Sequence, residues 1–336
     1  MRTGQDLLPE IGEYTLAEFE PLFEPATGTW TLRSGTSIEA AFADPKLRVR
    51  PPDEPVPNAL SGTRAGEIFG NLARMTDDEA HSIRRSVVET IIGSFDLDAV
   101  AGNAGAAALR LLHESADLNG WIVNVSPYTL GMILGVDQAE LPHLALSAAA
   151  FARAISPGAS ALEIESGIAA ADELWELFSK LVPVDRVNPE LWISNVIGLF
   201  FQANDSMAGL LGNSLLFMQA HPKVTDVRIA IRRTLHESPQ IRNTRRFAAA
   251  DTVLGDSLIT AGSSLLLDLE PAMQCSGPSL GFGAGPNACP GQILAFTIAA
   301  AALDVGPRLS GIAPTFYPYP NARVPDFRGI AIPERT

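Results

Sequence analysis

Apolar residues recur at helical spacing over most of the chain from about residue 75 onward. The first such pattern runs through His81, Arg84, Arg85, Val88 and Ile91, with Asp77 and Asp78 placed to cap and charge its start. Residues 101–113 are Ala/Leu-rich at the same spacing, and so are 141–155, where Pro142 fits a first helical turn. In 163–181 a stripe of Ile164, Ile168, Leu174, Leu177 and Phe178 forms one face. Pro189 then opens a helix over about 190–219 that is hydrophobic nearly all round, the mark of a buried central helix. Polar Asn204-Asp205-Ser206 interrupts its middle. A further helix over 224–235 ends before Ser238-Pro239, and an Ala-rich one is expected at 292–305.

Alternating or short apolar runs are confined to the two ends. Thr29 to Arg33 alternates and meets Ser34-Gly35, which predicts a strand and turn, followed by a short helix over 37–43. The Pro-rich run 51–57 is expected to be loop. Short strands are expected at 241–242, 252–254, 257–259 and 265–267, with Gly255-Asp256 and Ala261-Gly262 as turns. The picture is mainly α with a small β part.

Composition narrows the class. The chain has 336 residues, 46% hydrophobic and 18% charged, with net charge −14. That is a globular composition, and a chain so acidic is a poor binder of nucleic acid. Two cysteines, Cys275 and Cys289, exclude a disulfide framework and a four-cysteine zinc site. Residues 1–20 lack a signal-peptide core, and the longest apolar stretch, 295–305, is too short to span a bilayer. These features predict a cytoplasmic protein with no membrane partner.

The chemistry concentrates in the Gly/Pro-rich loop 276–291, which ends Gly281-Phe282-Gly283-Ala284-Gly285-Pro286-Asn287-Ala288-Cys289-Pro290-Gly291. A thiolate just before a helix gains from the N-terminal dipole and its free N–H groups. One cysteine without companion ligands suits a one-thiolate site such as thiolate-ligated haem. It also suits a small buried hydrophobe. A phosphate cradle is the other reading of such a loop, but the P-loop lysine is absent and no G-x-G-x-x-G follows a strand.

Phe282-x-x-Gly285-x-Asn287-x-Cys289-x-Gly291 resembles the haem-binding signature of cytochromes P450, F-x-x-G-x-[H/R]-x-C-x-G, departing only at Asn287, where the family has a basic residue. Three other segments resemble the family in the same order. His81 and Arg85, one helical turn apart, look like its H-x-x-x-R pair, which holds haem propionates. Asn204-Asp205-Ser206, after Ala203, looks like its acid–alcohol stretch beside bound oxygen, with Ser206 for the usual Thr. Arg246 to Asp251 looks like its R-x-A-x-x-D segment, whose Arg reaches a propionate.

The resemblance implies a single P450-like haem domain over 1–336. Cys289 would ligate the iron of haem b. His81, Arg85 and Arg246 would hold propionates, and the loop residues Phe282, Gly285, Asn287 and Gly291 would complete the cofactor site. Asp205 and Ser206 would handle protons. The implied activity is a haem-thiolate monooxygenase acting on a small or medium apolar molecule, with secondary metabolism as one setting, and with a ferredoxin-type electron donor. Alternatives are peroxide use, a haem-bound rearrangement or dehydration, and a haem-free P450-like partner that stabilises another enzyme. The fold expected is trimmed at the N-terminal sheet, the J/K region and the meander. No Glu in the chain has Arg three residues later, so the family's E-x-x-R is absent. A basic cluster, Arg228, Arg232, Arg233, Arg242 and Arg245, is the expected ferredoxin face, and apolar surface left by the trimming would admit a homo-oligomer.

Overall fold

The computed structural model describes residues 21–77, 79–156, 158–183, 187–276 and 278–333. Asp78 and the 1–20 region read above for a leader lie outside the described residues. In chain order the elements are β1 (Leu22–Glu24), β2 (Thr29–Leu32), α1 (Gly35–Ala43), β3 (Leu47–Arg48), α2 (Arg64–Gly70), α3 (His81–Gly93), α4 (Leu97–Glu114), α5 (Leu118–Ile133), α6 (Leu141–Ala154), α7 (Ala161–Ser179), α8 (Pro189–Ala220) and α9 (Val227–Glu237). They continue as β4 (Asn243–Ala248), β5 (Thr252–Leu254), β6 (Ser257–Ile259), β7 (Ser264–Asp268), α10 (Leu269–Ser276) and α11 (Gln292–Val305).

Side-chain caps explain most helix starts. Ser34, Thr63, Asp96, Asp117, Ser160 and Asp226 each accept a backbone N–H of the helix they precede, and Ser160 with Glu163 forms a capping box. The start of α3 is a correction. Its cap position is Ala80 and no side chain caps it. Asp77 is used elsewhere, as described below.

Helix α8 is the axis of the helical part. Its side chains are buried from Trp192 to Phe200 with the exception of Leu199, and again from Met207 to Leu215. Helices α2, α3, α5, α6, α7, α9 and α11 pack against it. Two features hold the chain close to α8. Asn195 donates to the Asn71 carbonyl (3.0 Å) and accepts the Ala73 N–H (3.3 Å), pinning the segment before α3. At Gly209 any Cβ would lie 2.8 Å from the Arg323 carbonyl, so only glycine lets the C-terminal segment pass. Asn213 donates to that same carbonyl at 3.0 Å.

Among the described residues, five strands form one sheet in the order β1-β2-β7-β4-β3, with β2 and β7 parallel and the other pairs antiparallel. Strands β5 and β6 form a separate hairpin. A second, smaller core of Leu32, Ile38, Phe42, Ile259, Leu265, Leu267 and Met273 lies beneath the sheet. The stretch Gly285–Val305 is apolar enough over 21 residues to match a membrane-crossing composition. Only Gln292–Val305 is continuous α-helix, about 21 Å at 1.5 Å per residue against a hydrocarbon thickness of about 30 Å. It buries Leu294, Ile298, Ala299, Ala300, Ala302 and Leu303 in the core.

Candidate haem-thiolate site

The loop before α11 is folded by its own backbone. Gly283 and Gly285 have φ of +71° and +62°, where side-chain-bearing residues are strained. A Cβ on Gly283 would lie 3.0 Å from the Asn287 carbonyl. With the loop turned this way, the Cys289 N–H donates to the Phe282 carbonyl at 2.6 Å. Gly291 caps α11, and its N–H hydrogen-bonds the Cys289 sulfur. Cys289 is a free thiol, exposed to solvent although protein atoms stand close around it. Desolvation pushes its pKa up. The Gly291 N–H, Arg74 and Arg85 pull it down.

Helix α3 and the segment before it supply the other wall. Arg85 donates to the carbonyl of Ala288, next to the cysteine, and to Glu89 at 2.6 Å. Asp77 accepts the Val49 N–H at 2.6 Å and the Asn287 amide at 3.1 Å, tying the end of β3 and the pre-α3 segment to the cysteine loop. Arg246, on β4, is 5% exposed. Its guanidinium lies 4.9 Å from the centre of the Phe42 ring and donates to the Arg245 carbonyl at 2.8 Å. Burial pushes its pKa down to about 10, with Asp77 opposing and Arg74 reinforcing the shift. His81 is the first residue of α3 and half-buried, and among the described residues its ring makes no hydrogen bond.

The structure therefore gathers Arg85, Phe282, Gly285, Asn287, Cys289 and Gly291 around one loop, with Arg246 electrostatically linked to them through Asp77. Asp205 and Ser206 lie apart, in the middle of α8. There Phe201 to Ser206 are half-exposed within an otherwise buried helix, so the axis opens onto an accessible space. Asp205 accepts from Asn204 at 2.9 Å, and burial raises its pKa, partly offset by that bond and by Arg153. Ser206 donates back to the Gln202 carbonyl at 2.9 Å and not to Asp205. Tyr319 adds a phenol pushed up to about 12, first by burial and then by Asp205.

Asp205 gives a pH-dependent prediction. A carboxyl with a raised folded-state pKa contributes most to stability when protonated and loses that contribution as pH rises through the raised value. Asp205→Asn is neutral at every pH. Its Tm should therefore match the parent's near pH 4 and exceed it increasingly toward pH 8. Parallel thermal melts at several pH values check this, and a constant difference would show that burial does not tune the group.

Two site residues were missed as such from sequence. Asp77 read as a helix cap because acids commonly precede helices. Arg74, three residues earlier, carries no pattern that marks it as part of the site. In the basic cluster, Arg228, Arg233 and Arg242 are engaged with Asp304, Glu237 and Glu270, and Arg232 lies over the Phe296 ring. Arg245 is exposed.

Whether these residues fit a thiolate-bound haem can be tested on their chemistry. The thiol is free, and protein surrounds it without covering it. The buried Arg246 makes a single hydrogen bond, to a neighbouring carbonyl, so most of its donors have no partner among the described residues. The Asn287 Oδ1 is buried without a hydrogen bond. A soft anionic ligand and unpartnered guanidinium donors beside an apolar helix suit a flat apolar group carrying a metal and carboxylates. The residues fit.

Solved structures similar in shape to this chain are cytochromes P450. CalO2 superposes with a TM-score of 0.76 at 19% identity, covering 89% of each chain. P450BioI, solved in complex with hexadec-9Z-enoic acid ligated acyl carrier protein, gives 0.73 at 18% identity, over 89% of this chain and 91% of that one. The versatile P450 CYP109B1 from Bacillus subtilis gives 0.68 at 16% identity, over 92% and 95%. No family sequence model matches the chain, and no curated protein matches it in sequence. The fold is the cytochrome P450 fold, mainly α with small sheets.

Proposed function

We propose that this protein is a haem-thiolate oxidoreductase, most simply a monooxygenase of a small or medium apolar molecule. The observation that carries this reading is Cys289: a free, accessible thiol held at the start of α11 by the Phe282 carbonyl and the Gly291 N–H, within reach of Arg85.

Cys289 would ligate the iron as thiolate, because a coordinating metal deprotonates a thiol whose surroundings alone favour the neutral form. Arg85 and Arg246 would face the carboxylates, and His81, at the start of α3, would stand beside them. Phe282 would cover the apolar ring, and Gly285 and Gly291 would let the loop approach it. Bound haem would supply oxygen activation, with thiolate donation favouring O–O cleavage. The chain's own part is then positioning and proton handling. The Gly291 N–H stabilises negative charge on the sulfur. Asp205, its pKa raised by burial, can release and recover a proton at its carboxyl where α8 opens, and Ser206 can turn its hydroxyl from the Gln202 carbonyl toward that space. Phe201 and Ala203 supply apolar lining. A free thiol of this kind suits the reducing cytoplasm, where ferredoxin-type donors also work.

The test is an absorption spectrum of the purified full chain, ferric and then dithionite-reduced under carbon monoxide. A Soret band shifted to the long-wavelength position of thiolate-ligated carbonmonoxy haem supports the reading. A chain that takes up no haem, even when supplemented, moves the assignment to a haem-free partner protein of P450 fold.

A further inference from the structure

Three guanidinium groups approach the cysteine loop, and only two of them are accounted for above. The third, Arg74, sits in a 3-10 turn, Ala73–Met75, whose start is fixed by Asn195 on α8. It is flanked by buried Leu72 and Ala73. Its side chain is exposed, and Asp77, three residues on, ties the same segment to the cysteine loop through Asn287. Cys289 and Arg246 lie within its electrostatic reach. Among the described residues it makes no ion pair. An exposed guanidinium with no counter-anion has its donors free for an anionic partner that arrives beside it.

Asn287 stands two residues before Cys289, but its amide is committed. Its Nδ2–H is donated to Asp77 at 3.1 Å, and the carboxylate on that side fixes the orientation of the amide. What Asn287 leaves facing inward is Oδ1, a buried acceptor without a partner, which repels an anion. Asp77 cannot easily release it, since its other oxygen holds the Val49 N–H. Asn287 is therefore a bracket for the cysteine loop.

We propose that Arg74, and not Asn287, supplies the third cation for the carboxylates of the bound haem, acting with Arg85 and Arg246. This rests on the haem-thiolate reading above. The arrangement is an exchange of partners. Asn287 turns to Asp77 and braces the loop, and the positive charge absent at position 287 is provided from the pre-α3 segment.

The test compares the parent, Arg74→Gln, Arg74→Lys and the double variant Arg74→Gln/Asn287→His, each as the full chain freed of haem. The probes are haemin and haemin dimethyl ester, whose carboxylates are blocked. Affinity is read from Soret titration and from the rate of haemin loss to apomyoglobin. Arg74→Gln is expected to bind haemin about thirtyfold or more weakly than the parent. Its binding of the dimethyl ester should change little, and Arg74→Lys should fall between parent and Arg74→Gln. A histidine at 287 should recover part of the loss. Equal haemin affinity in parent, Arg74→Gln and Arg74→Lys overturns the proposal while leaving the haem reading intact. Tighter binding by Arg74→Gln overturns it as well, and shows that Arg74 obstructs the site. A parent that binds no haemin overturns both. Far-UV circular dichroism of each haem-free variant identifies any that has lost its fold, and Arg74→Lys then decides.

Discussion

Cys289→Ala is expected to abolish the thiolate carbonmonoxy spectrum completely while leaving the chain folded. The argument is one of ligand supply. Among the described residues no cluster of three or more His, Cys, Asp or Glu side chains could take over a metal, and the chain's other cysteine, Cys275, falls before the cysteine loop, in α10. The sulfur itself contributes little to the fold, since its one described hydrogen bond is the Gly291 N–H and its surface is not packed shut. Losing that bond costs about 1 kcal/mol. The expected result is a Soret band that is lost or moved to the position of a non-thiolate complex, with a far-UV spectrum like the parent's. A variant that keeps the parent's carbonmonoxy band would remove Cys289 from the metal. Any activity that survives with that band lost would belong to a different site.

The largest expected effect on stability is at Trp121. This ring is fully buried in α5 and its Nε1–H donates to the Ala108 carbonyl of α4 at 2.9 Å. Gly306, just past α11, lies so close that a Cβ there would come within 2.8 Å of two ring carbons. The ring thus joins α4, α5 and the end of α11. Trp121→Ala should cost about 3–5 kcal/mol through the cavity it leaves. For a chain of this size that corresponds to a fall in Tm of about 4–7 °C. Gly306→Ala should destabilise by about 1–3 kcal/mol by overpacking. The two together should cost less than their sum, because removing the ring makes room for the methyl. A strictly additive double variant would show that the residues do not share one packing site. Calorimetry or denaturant melts of the four proteins measure this directly.

The elements legible in the sequence were those whose pattern is set by burial alone. Helices α8 and α11 were readable nearly to the residue because an apolar run between Pro189 and His221, or between Gly291 and Gly306, has few other ways to fold. The strands of the β5–β6 hairpin were marked by Gly255, whose φ is +56°. What was missed has identifiable causes. Strand β4 carries Asn243, Thr244, Arg245 and Arg246, and a strand that buries an arginine shows no apolar alternation. Helix α10 is eight residues long with Pro271 in its first turn, too short to show an amphipathic stripe. Helix α5 contains Pro127 and is buried on most faces, so it gave no amphipathic stripe to separate it from its neighbours. In the site, the cysteine loop was legible from glycine spacing. The direction of Asp77 was not, because its partners, Val49 and Asn287, are 28 and 210 residues away in sequence.

The parallel pairing of β2 with β7 has a consequence for the making of the protein. Thr29 meets Ser264 across 235 residues, with their hydroxyls 3.1 Å apart. A ribosome adding about 5–20 residues per second needs roughly 10–50 s to cover that interval. During that time the β1–β2 hairpin has no sheet to join, and an isolated two-stranded hairpin is marginal in water. The helical part can begin to condense while the N-terminal strands wait for β7 to emerge. A nascent chain stalled anywhere short of Asp268 would present Trp30 and Leu32 unpaired, to chaperones and proteases alike.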